Sequence, residues 1–307
     1  MKNTINYFYN LEPDNIHQQD KNFKFNIGNK KYIFLPCYRT EKEINDLYSL
    51  STSLLSQGIY CHQIVLNNNS LKVTLINNIP YILLFIYITD SRNITYDDLI
   101  WFSNISMNAS ENSLRRDKWL YLWIEKIDFF EYQVSQFGKT FPLLRESFSY
   151  FVGMTETGIS FLKNINTNNK SLSLSHGRIK KDDTLFDLYN PLNFIIDSKT
   201  RDICEYFKSR FFDGDNITYD VIDYITSNNL NETDCLLLYA RMLFPTFYFD
   251  VFELIVHNQL SEKEILKIIH KISDYELFLN KLYTYLKQVI SIPNIEWISK
   301  IQTTQHL

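Results

Sequence analysis

The chain has 307 residues, of which 45% are hydrophobic and 21% are charged, and its formal net charge is −4. These values are ordinary for a globular protein and argue against nucleic acid or an anionic membrane as the partner, because such partners attract strongly basic surfaces. Its four scattered cysteines and six histidines form no Cys-x-x-Cys or His-x3-His pattern, so neither a zinc site nor a disulfide framework is expected.

The beginning of the chain has no apolar signal core, which argues against a secreted protein. The most apolar run, residues 79–88, has about half the length that a membrane-spanning helix needs and is interpreted as a buried strand. We therefore expect a protein of the cell interior with no signal peptide and no transmembrane segment, whose cysteines are reduced and buried.

Residues 1–90 are predicted to form an amino-terminal lobe of five strands and one helix. Alternating apolar residues and Asn- or Gly-containing turns predict strands at 23–27, 31–35, 63–66, 72–76 and 81–87. A helix is predicted to begin after Thr40, because threonine is a good N-cap and Glu41 and Glu43 follow in the first turn. Gln57-Gly58 is predicted to end it.

Residues 91–307 are predicted to form a larger, mostly helical lobe. Trp119, Trp123, Ile127, Phe130 and Val134 recur at helical spacing and predict a long helix whose tryptophans pack in the core rather than line a ligand pocket. Further helices are predicted at 146–165, 201–212, 218–227, 232–243, 248–257, 261–272 and 274–290. A loop-rich section, 166–200, is expected before most of them.

Four passages carry a family pattern. They are residues 31–36 (KYIFLP), 146–162 (ESFSYFVGMTETGISFL), 175–178 (SHGR) and 196–203 (IDSKTRDI). Together they resemble the bacterial spore-coat-associated kinase-like proteins of the CotS/YutH type, most closely the YutH branch. The resemblance implies the two-lobed, protein-kinase-like α+β fold of aminoglycoside phosphotransferases and choline kinases. It also implies a degenerate catalytic loop at 173–203.

The resemblance implies which residues would carry phosphoryl transfer. In such kinases a strand-three lysine holds the α- and β-phosphates, and Leu35 stands at that position. An aspartate after His-Gly takes the proton from the attacking hydroxyl, and here Arg178, whose guanidinium cannot accept a proton, follows His176-Gly177. Lys30 and Lys31 are interpreted as solvated turn lysines.

Two further parts of the kinase pattern are interpreted as missing. Glu43 could be the helix carboxylate that pairs with the strand-three lysine, but without that lysine it is interpreted as an exposed acid of the first helical turn. Residues 26–29 (NIGN), interpreted as the first hairpin, contain a single glycine and no Gly-rich phosphate loop.

The resemblance also implies two metal-ligand positions. The first falls on Asp183, where a carboxylate could bind Mg²⁺ and where a solvated turn is an equal interpretation. The second stays open among Asn190, Asp187 and Asp197.

The pair Arg201-Asp202 helps to interpret the second position. In the family, the second metal ligand precedes such a pair by a characteristic number of residues. Counting back by that number from Arg201-Asp202 reaches Asn190, which lies in a hairpin shorter than the family's. Asp197 is then interpreted as a structural acid that precedes the pair. Arg201 and Asp202 are expected to lock the loop onto the following helix.

We therefore expect three parts of the catalytic site to be lost together: the anchoring lysine, the base and the second metal ligand. Each such electrostatic contact contributes orders of magnitude to the reaction rate. We predict a pseudokinase without catalytic residues, metal or cofactor. The resemblance implies a binding or structural role in the spore coat during sporulation, with other coat or assembly proteins as partners. It also implies a location in the mother-cell cytoplasm or the coat. The charge and the lack of a long apolar span argue against nucleic acid and membrane insertion.

Two alternatives stay open. One is a divergent small-molecule kinase that uses ATP and Mg²⁺, with Asp183 and either Asp187 or Asp197 as metal ligands. The other is a sensor that binds a nucleotide or metabolite without turnover.

Overall fold

The computed structural model describes residues 1–107 and 112–301. These residues divide into two compact units. The first contains residues 1–95, 112–115 and 176–196, and the second contains 96–107, 116–175 and 197–301. The segment 173–203 contributes to both units, so each of its residues is described with the unit to which it belongs.

The first unit is built on a six-stranded sheet in which every pair of strands is antiparallel. The strands are β1 (Ile16–Gln19), β2 (Asn22–Ile27), β3 (Lys30–Pro36), β4 (Gln63–Val65), β5 (Thr74–Ile76) and β6 (Ile79–Ile86). Their order is β1-β2-β3-β6-β4, and β5 pairs with the first residues of β6. Leu35 of β3 lies opposite Ile82 of β6 in this register.

A short helix, α1 (Lys2–Tyr9), packs on the sheet. Side chains alternate between the two faces of a strand, and Phe23 and Phe25 of β2 lie with Tyr32 and Phe34 of β3 in one buried cluster. Ile5 and Tyr9 of α1 join this cluster. The Tyr9 hydroxyl also hydrogen-bonds the Thr74 hydroxyl at 2.9 Å, so α1 completes the core of this unit.

The second helix of this unit, α2 (Glu41–Ser56), begins where the sequence predicts. Thr40 is its N-cap and forms a capping box with Glu43. Gly58 follows the helix with φ +81°, a conformation that glycine adopts easily. The helix buries Ile44, Leu47 and Leu54, so one of its faces belongs to the core.

The predicted count of five strands and one helix is wrong, because α1 and β1 were not expected. β1 has the sequence IHQQ, a single apolar residue without alternation. α1 is only eight residues long, although its Ile5, Phe8 and Tyr9 do recur at helical spacing and pack on the core. The first hairpin is therefore β1–β2, in which Gln19 pairs with Asn22 across a two-residue turn, rather than residues 26–29. Asp20 in this turn has φ +54°, and the turn contains no glycine.

The remaining elements follow in chain order. The helices are α3 (Tyr96–Ser103), α4 (Trp119–Phe137), α5 (Pro142–Lys163), α6 (Leu185–Leu188), α7 (Arg201–Asp213), α8 (Thr218–Ser227), α9 (Glu232–Leu243), α10 (Thr246–Val256), α11 (Ile265–Ile269), α12 (Ile272–Val289) and α13 (Glu296–Ser299). Two 3₁₀ turns lie at Pro191–Asn193 and Glu262–Glu264. Strands β7 (Leu172–His176) and β8 (Phe194–Ser198) form a separate two-stranded sheet.

The tryptophans of α4 lie in the core of the second unit, as predicted. The rings of Trp119 and Trp123 stack at 5.6 Å, and Trp123 stacks on Phe244 at 4.4 Å. Gly158 of α5 permits this close approach, because a Cβ there would lie 3.3 Å from the Trp123 ring. Ile127 and Phe130 are also buried, so one face of α4 belongs to the core.

Most predicted helices are confirmed, but the single helix predicted at 261–272 is wrong. The chain forms the turn Glu262–Glu264, then α11, and begins α12 at Ile272. Isoleucines recur through the break between α11 and α12, so apolar periodicity does not show it. α3 was not predicted, and α6 lies in the section expected to be loop-rich.

One stretch, Glu232–Val256, has the length and composition of a membrane-spanning helix. It comprises α9 and α10, and 78% of its most apolar window is buried within the protein. Core helices have the same composition, so the stretch is weak evidence for a membrane span. All four cysteines are free and buried, as predicted.

Replacing Ile5 tests whether α1 belongs to the core. Ile5→Ala removes a fully buried side chain and should lower the free energy of unfolding by about 2–5 kcal/mol, because a cavity remains. Urea unfolding followed by fluorescence measures the change. Asn3→Ala, at an exposed position of the same helix, should change stability by less than about 0.5 kcal/mol. Equal stability of the two variants would contradict the packing of α1.

Candidate functional site

The residues at the catalytic-loop position lie at the end of β7, in the first unit. His176 is buried, and its Nε2 lies 2.8 Å from the carbonyl oxygen of Leu188. The Gly177 N–H donates to the Asn193 carbonyl at 2.8 Å. Arg178 is exposed. His176 and Gly177 thus hold the backbone of the loop, and the side chain at the base position carries a permanent positive charge.

The strand-three position is apolar. Leu35 is half-buried near the end of β3. Lys30 and Lys31 are the first two residues of that strand and are exposed, which agrees with their interpretation as solvated lysines. No lysine therefore stands at the position where the family resemblance places the phosphate anchor.

The prediction of an exposed Glu43 is wrong, because its side chain is only 12% exposed and is fully engaged. Arg39 Nη1 lies 3.1 Å from Glu43 Oε1. The N–H and hydroxyl of Thr40 donate to Glu43 Oε2 at 3.0 and 3.1 Å. Burial raises the pKa of Glu43, but the hydrogen bonds from Thr40 and the charge of Arg39 outweigh burial and hold this pKa below its usual value.

Arg39 also binds the segment that leads into β8. Its Nη2 donates to the Leu192 carbonyl at 2.9 Å and to the Phe194 carbonyl at 3.3 Å, and its Nε donates to Leu192 at 3.3 Å. One guanidinium therefore connects the start of α2 with the Pro191–Asn193 turn and the first residue of β8. Sequence reasoning missed Arg39, because its partners Leu192 and Phe194 lie more than 150 residues away and no motif contains it.

The candidate metal ligands of the first unit hold their own turns together. Asp183 Oδ2 accepts from the Lys180 N–H at 2.7 Å, and burial and the Asp187 charge raise the pKa of Asp183 above its usual value, against the Lys180 hydrogen bond. Asp187 Oδ2 accepts from the N–H and hydroxyl of Thr184 at 3.0 and 2.8 Å. The Asn190 side chain accepts from the N–H of Leu192 at 3.0 Å.

Asp197, the remaining candidate ligand, belongs to the second unit and is fully buried. Its Oδ1 accepts from Trp119 Nε1 at 2.8 Å and from the Ser198 N–H at 2.7 Å. Its Oδ2 accepts from Arg201 Nη1 at 2.7 Å, and Asp202 beside it is buried. Protein donors thus contact both oxygens of Asp197.

In the first unit, Leu35 offers no charge to a phosphate and the β1–β2 turn has no glycine. In the second unit, Asp197 could bind a metal only by giving up the donors that it accepts from in a buried site. Within residues 1–107 and 112–301, no group of three or more His, Cys, Asp or Glu side chains could hold a metal ion.

His62, between α2 and β4, has an unusual environment in the first unit. It is fully buried, its N–H donates to the Tyr189 carbonyl at 3.0 Å, and its ring lies 4.9 Å from that of Phe186. In the part of the chain that the structure describes, neither ring nitrogen has a hydrogen-bond partner. Burial lowers the pKa of His62 to about 4, although the Phe186 backbone and Asp187 oppose the shift.

His62 should make stability depend on pH. Its pKa is about 4 in the folded protein and 6.5 in its ordinary state, so the unfolded chain binds more protons between these values. The contribution of neutral His62 is therefore complete above pH 6.5 and is lost as the pH falls towards 4, on the order of 3 kcal/mol. Urea unfolding across this range should show a flatter profile for His62→Phe. An unchanged profile would contradict this account, and His17→Gln, at an exposed site, is the control.

Replacing Arg39 tests the connection between α2 and β8. Arg39→Ala should lower the free energy of unfolding by about 1–3 kcal/mol, because two carbonyls and a carboxylate each lose a donor. Chemical denaturation measures this loss. Lys42→Ala, at an exposed position in the first turn of α2, is the matched control and should have little effect. If both variants were as stable as the original chain, the contacts of Arg39 would contribute nothing.

Sequence comparisons place the chain among spore-coat proteins. The profile of the family described as "Spore coat putative kinase YutH" matches residues 2–282. The endospore coat-associated protein YutH of Bacillus subtilis (strain 168) is 26% identical over 215 residues, which are 61% of this chain and 62% of that protein. The match therefore spans less than two thirds of the relative's length.

Solved structures share the fold at low identity. An aminoglycoside phosphotransferase from Alicyclobacillus acidocaldarius subsp. acidocaldarius DSM 446 superposes with a TM-score of 0.68 at 9% identity, over 94% of this chain and 97% of that one. The choline kinase LicA from Streptococcus pneumoniae has a TM-score of 0.51 at 11% identity, over 92% and 98%. The predicted kinase-like α+β fold, with a β-rich amino-terminal and a helical carboxy-terminal region, is confirmed. The chain belongs to the spore-coat YutH family and has the aminoglycoside phosphotransferase fold.

Proposed function

We propose that this chain is a pseudokinase that acts in the spore coat by binding other coat or assembly proteins. The observation that carries the proposal is that the Glu43 carboxylate already has partners within the protein. The carboxylate that a phosphate-anchoring lysine would engage is taken by Arg39, which is itself held by the carbonyls of Leu192 and Phe194. Leu35 stands where the lysine would be. The α2 carboxylate is therefore stabilised without a nucleotide.

The chemistry of phosphoryl transfer gives the same conclusion. The reaction depends on positioning and on neutralising the charge of the phosphates, and it needs a group that accepts or orients the proton of the attacking hydroxyl. Arg178 could attract an anion, but it cannot accept a proton. The residues that would bind Mg²⁺ are engaged in turns or, for Asp197, saturated by Trp119 and Arg201. The proposed role requires neither ATP nor a metal.

Family membership supports the place of action. The YutH relative is described as endospore coat-associated, and the matched family is a spore-coat family. We propose that the chain is made in the mother cell and joins the coat through protein contacts. A fluorescent fusion in a sporulating culture should then collect at the forespore surface, whereas a signal spread through vegetative cells would contradict this location.

Reversion of the base position tests the catalytic part of the proposal. Arg178→Asp should not restore phosphate transfer from ATP to amino alcohols or aminoglycosides, because the phosphate anchor is also absent. The double variant Leu35→Lys/Arg178→Asp is the informative comparison, and an active enzyme of the same fold is the positive control. Transfer by the original chain that is lost in Asp183→Ala would show a working metal site and overturn the proposal.

Nucleotide binding is a separate question that thermal unfolding answers. A ligand that binds only the folded state raises the melting temperature, so ATP with Mg²⁺ should leave this temperature unchanged. A rise of several degrees that Asp183→Ala removes would identify a nucleotide sensor instead.

A further inference from the structure

We propose that the exposed face of α4 is a docking surface for a segment of another protein that carries lysine or arginine beside apolar side chains. We call this surface the acidic-aromatic face. It consists of Tyr121, Glu125, Asp128, Phe129 and Tyr132, with Leu122 and Glu131 at its two edges, and all of these residues are exposed. The proposal stands whether or not the chain transfers phosphate.

The apolar part of this face is unusual for an outward-facing helix surface. The apolar residues on the inward side of α4 pack in the core, where Trp123 stacks on Phe244 and Phe130 stacks on Phe249. Outward, Tyr121 is 67% exposed, Phe129 49% and Tyr132 62%. The outer face of a surface helix is normally polar, and three large exposed aromatic side chains grouped on one arc favour an interaction site over singly scattered surface residues.

The residues are arranged as one continuous strip. At 100° per residue, Tyr121, Glu125, Asp128, Phe129 and Tyr132 lie within an arc of about 100°. From Tyr121 to Tyr132 the helix rises about 16 Å, enough to contact several residues of a partner. Tyrosine is enriched among residues that dominate binding energy, because its ring buries a large area and its hydroxyl can still hydrogen-bond.

The charges of the strip select the partner. The exposed charged residues of α4 are Glu125 and Asp128 in the strip and Glu131 at its edge, and all three are acidic. Lys126, the helix's single basic residue, is partly buried, with its ammonium 5.4 Å from the centre of the Phe130 ring. The next exposed lysines lie beyond the two ends of the helix, at 118 and 139.

An acidic strip disfavours two other occupants. A second copy docked through the same face would set acidic residues against acidic residues, which costs free energy. An anionic membrane would repel the face for the same reason. A basic segment of another protein gains from both parts of the surface, because its cations approach the carboxylates while its apolar side chains cover Tyr121, Phe129 and Tyr132.

A peptide selection tests the proposal without a known partner. A phage-displayed library of random peptides, selected on the full chain, should yield peptides that are basic and contain apolar residues. Their affinity, measured by fluorescence polarisation, should fall at least tenfold in Phe129→Ser/Tyr132→Ser and weaken as salt is added. Tyr219→Ser, which changes an 80% exposed tyrosine of α8, is the matched control and should leave affinity unchanged.

A charge variant checks the second half of the surface. Glu125→Lys/Asp128→Lys should also lose the selected peptides, and circular dichroism should show that both double variants keep the fold. The proposal is overturned if selection enriches no peptide, if the peptides are acidic, or if they bind the α4 variants as tightly as the original chain. It is also overturned if sedimentation shows a dimer that Phe129→Ser/Tyr132→Ser converts to a monomer, because a second copy would then be the occupant.

Discussion

The structure of the first unit depends on one guanidinium. Arg39 precedes α2, pairs with Glu43 in the first turn of that helix, and donates to the carbonyls of Leu192 and Phe194. A cation with five donors in a planar fork suits such a position better than a lysine, because it can satisfy a carboxylate and several carbonyls at once. With Leu35 in place of the lysine, the charge that balances Glu43 comes from the neighbouring loop and needs no bound phosphate.

The second unit uses its charges in a similar, inward-facing way. Asp197 joins Trp119 to Arg201, and Arg241 stacks over the Trp119 ring while it pairs with Glu205 at 2.6 Å. A buried ion network of this kind is costly to form and strongly destabilising to break. Its members, Asp197 among them, are therefore fixed by their partners. The same unit exposes the acidic-aromatic face of α4.

Local chemistry in the sequence was sufficient for part of this picture. Thr40 and Glu43 predict the start of α2, because the two residues of a capping box lie within four positions of each other. The apolar residues at helical spacing that begin with Trp119 predict the buried side of α4. What could not be predicted depends on partners far along the chain, such as the contacts of Arg39 with Leu192 and Phe194. The helix α1 carries a short apolar pattern, Ile5, Phe8 and Tyr9, but the surface that this pattern covers is made by aromatic residues of β2 and β3.

Phosphorus NMR of ATP and Mg²⁺ with a high concentration of the chain tests the central claim, the absence of phosphoryl transfer, most directly. Small amino alcohols and aminoglycosides would be present as acceptors, and the three phosphate resonances would be followed over hours. The account predicts that the γ-phosphate resonance keeps its intensity, as it does without protein. Growth of inorganic phosphate or of a phosphorylated acceptor, lost in Asp183→Ala, would contradict it.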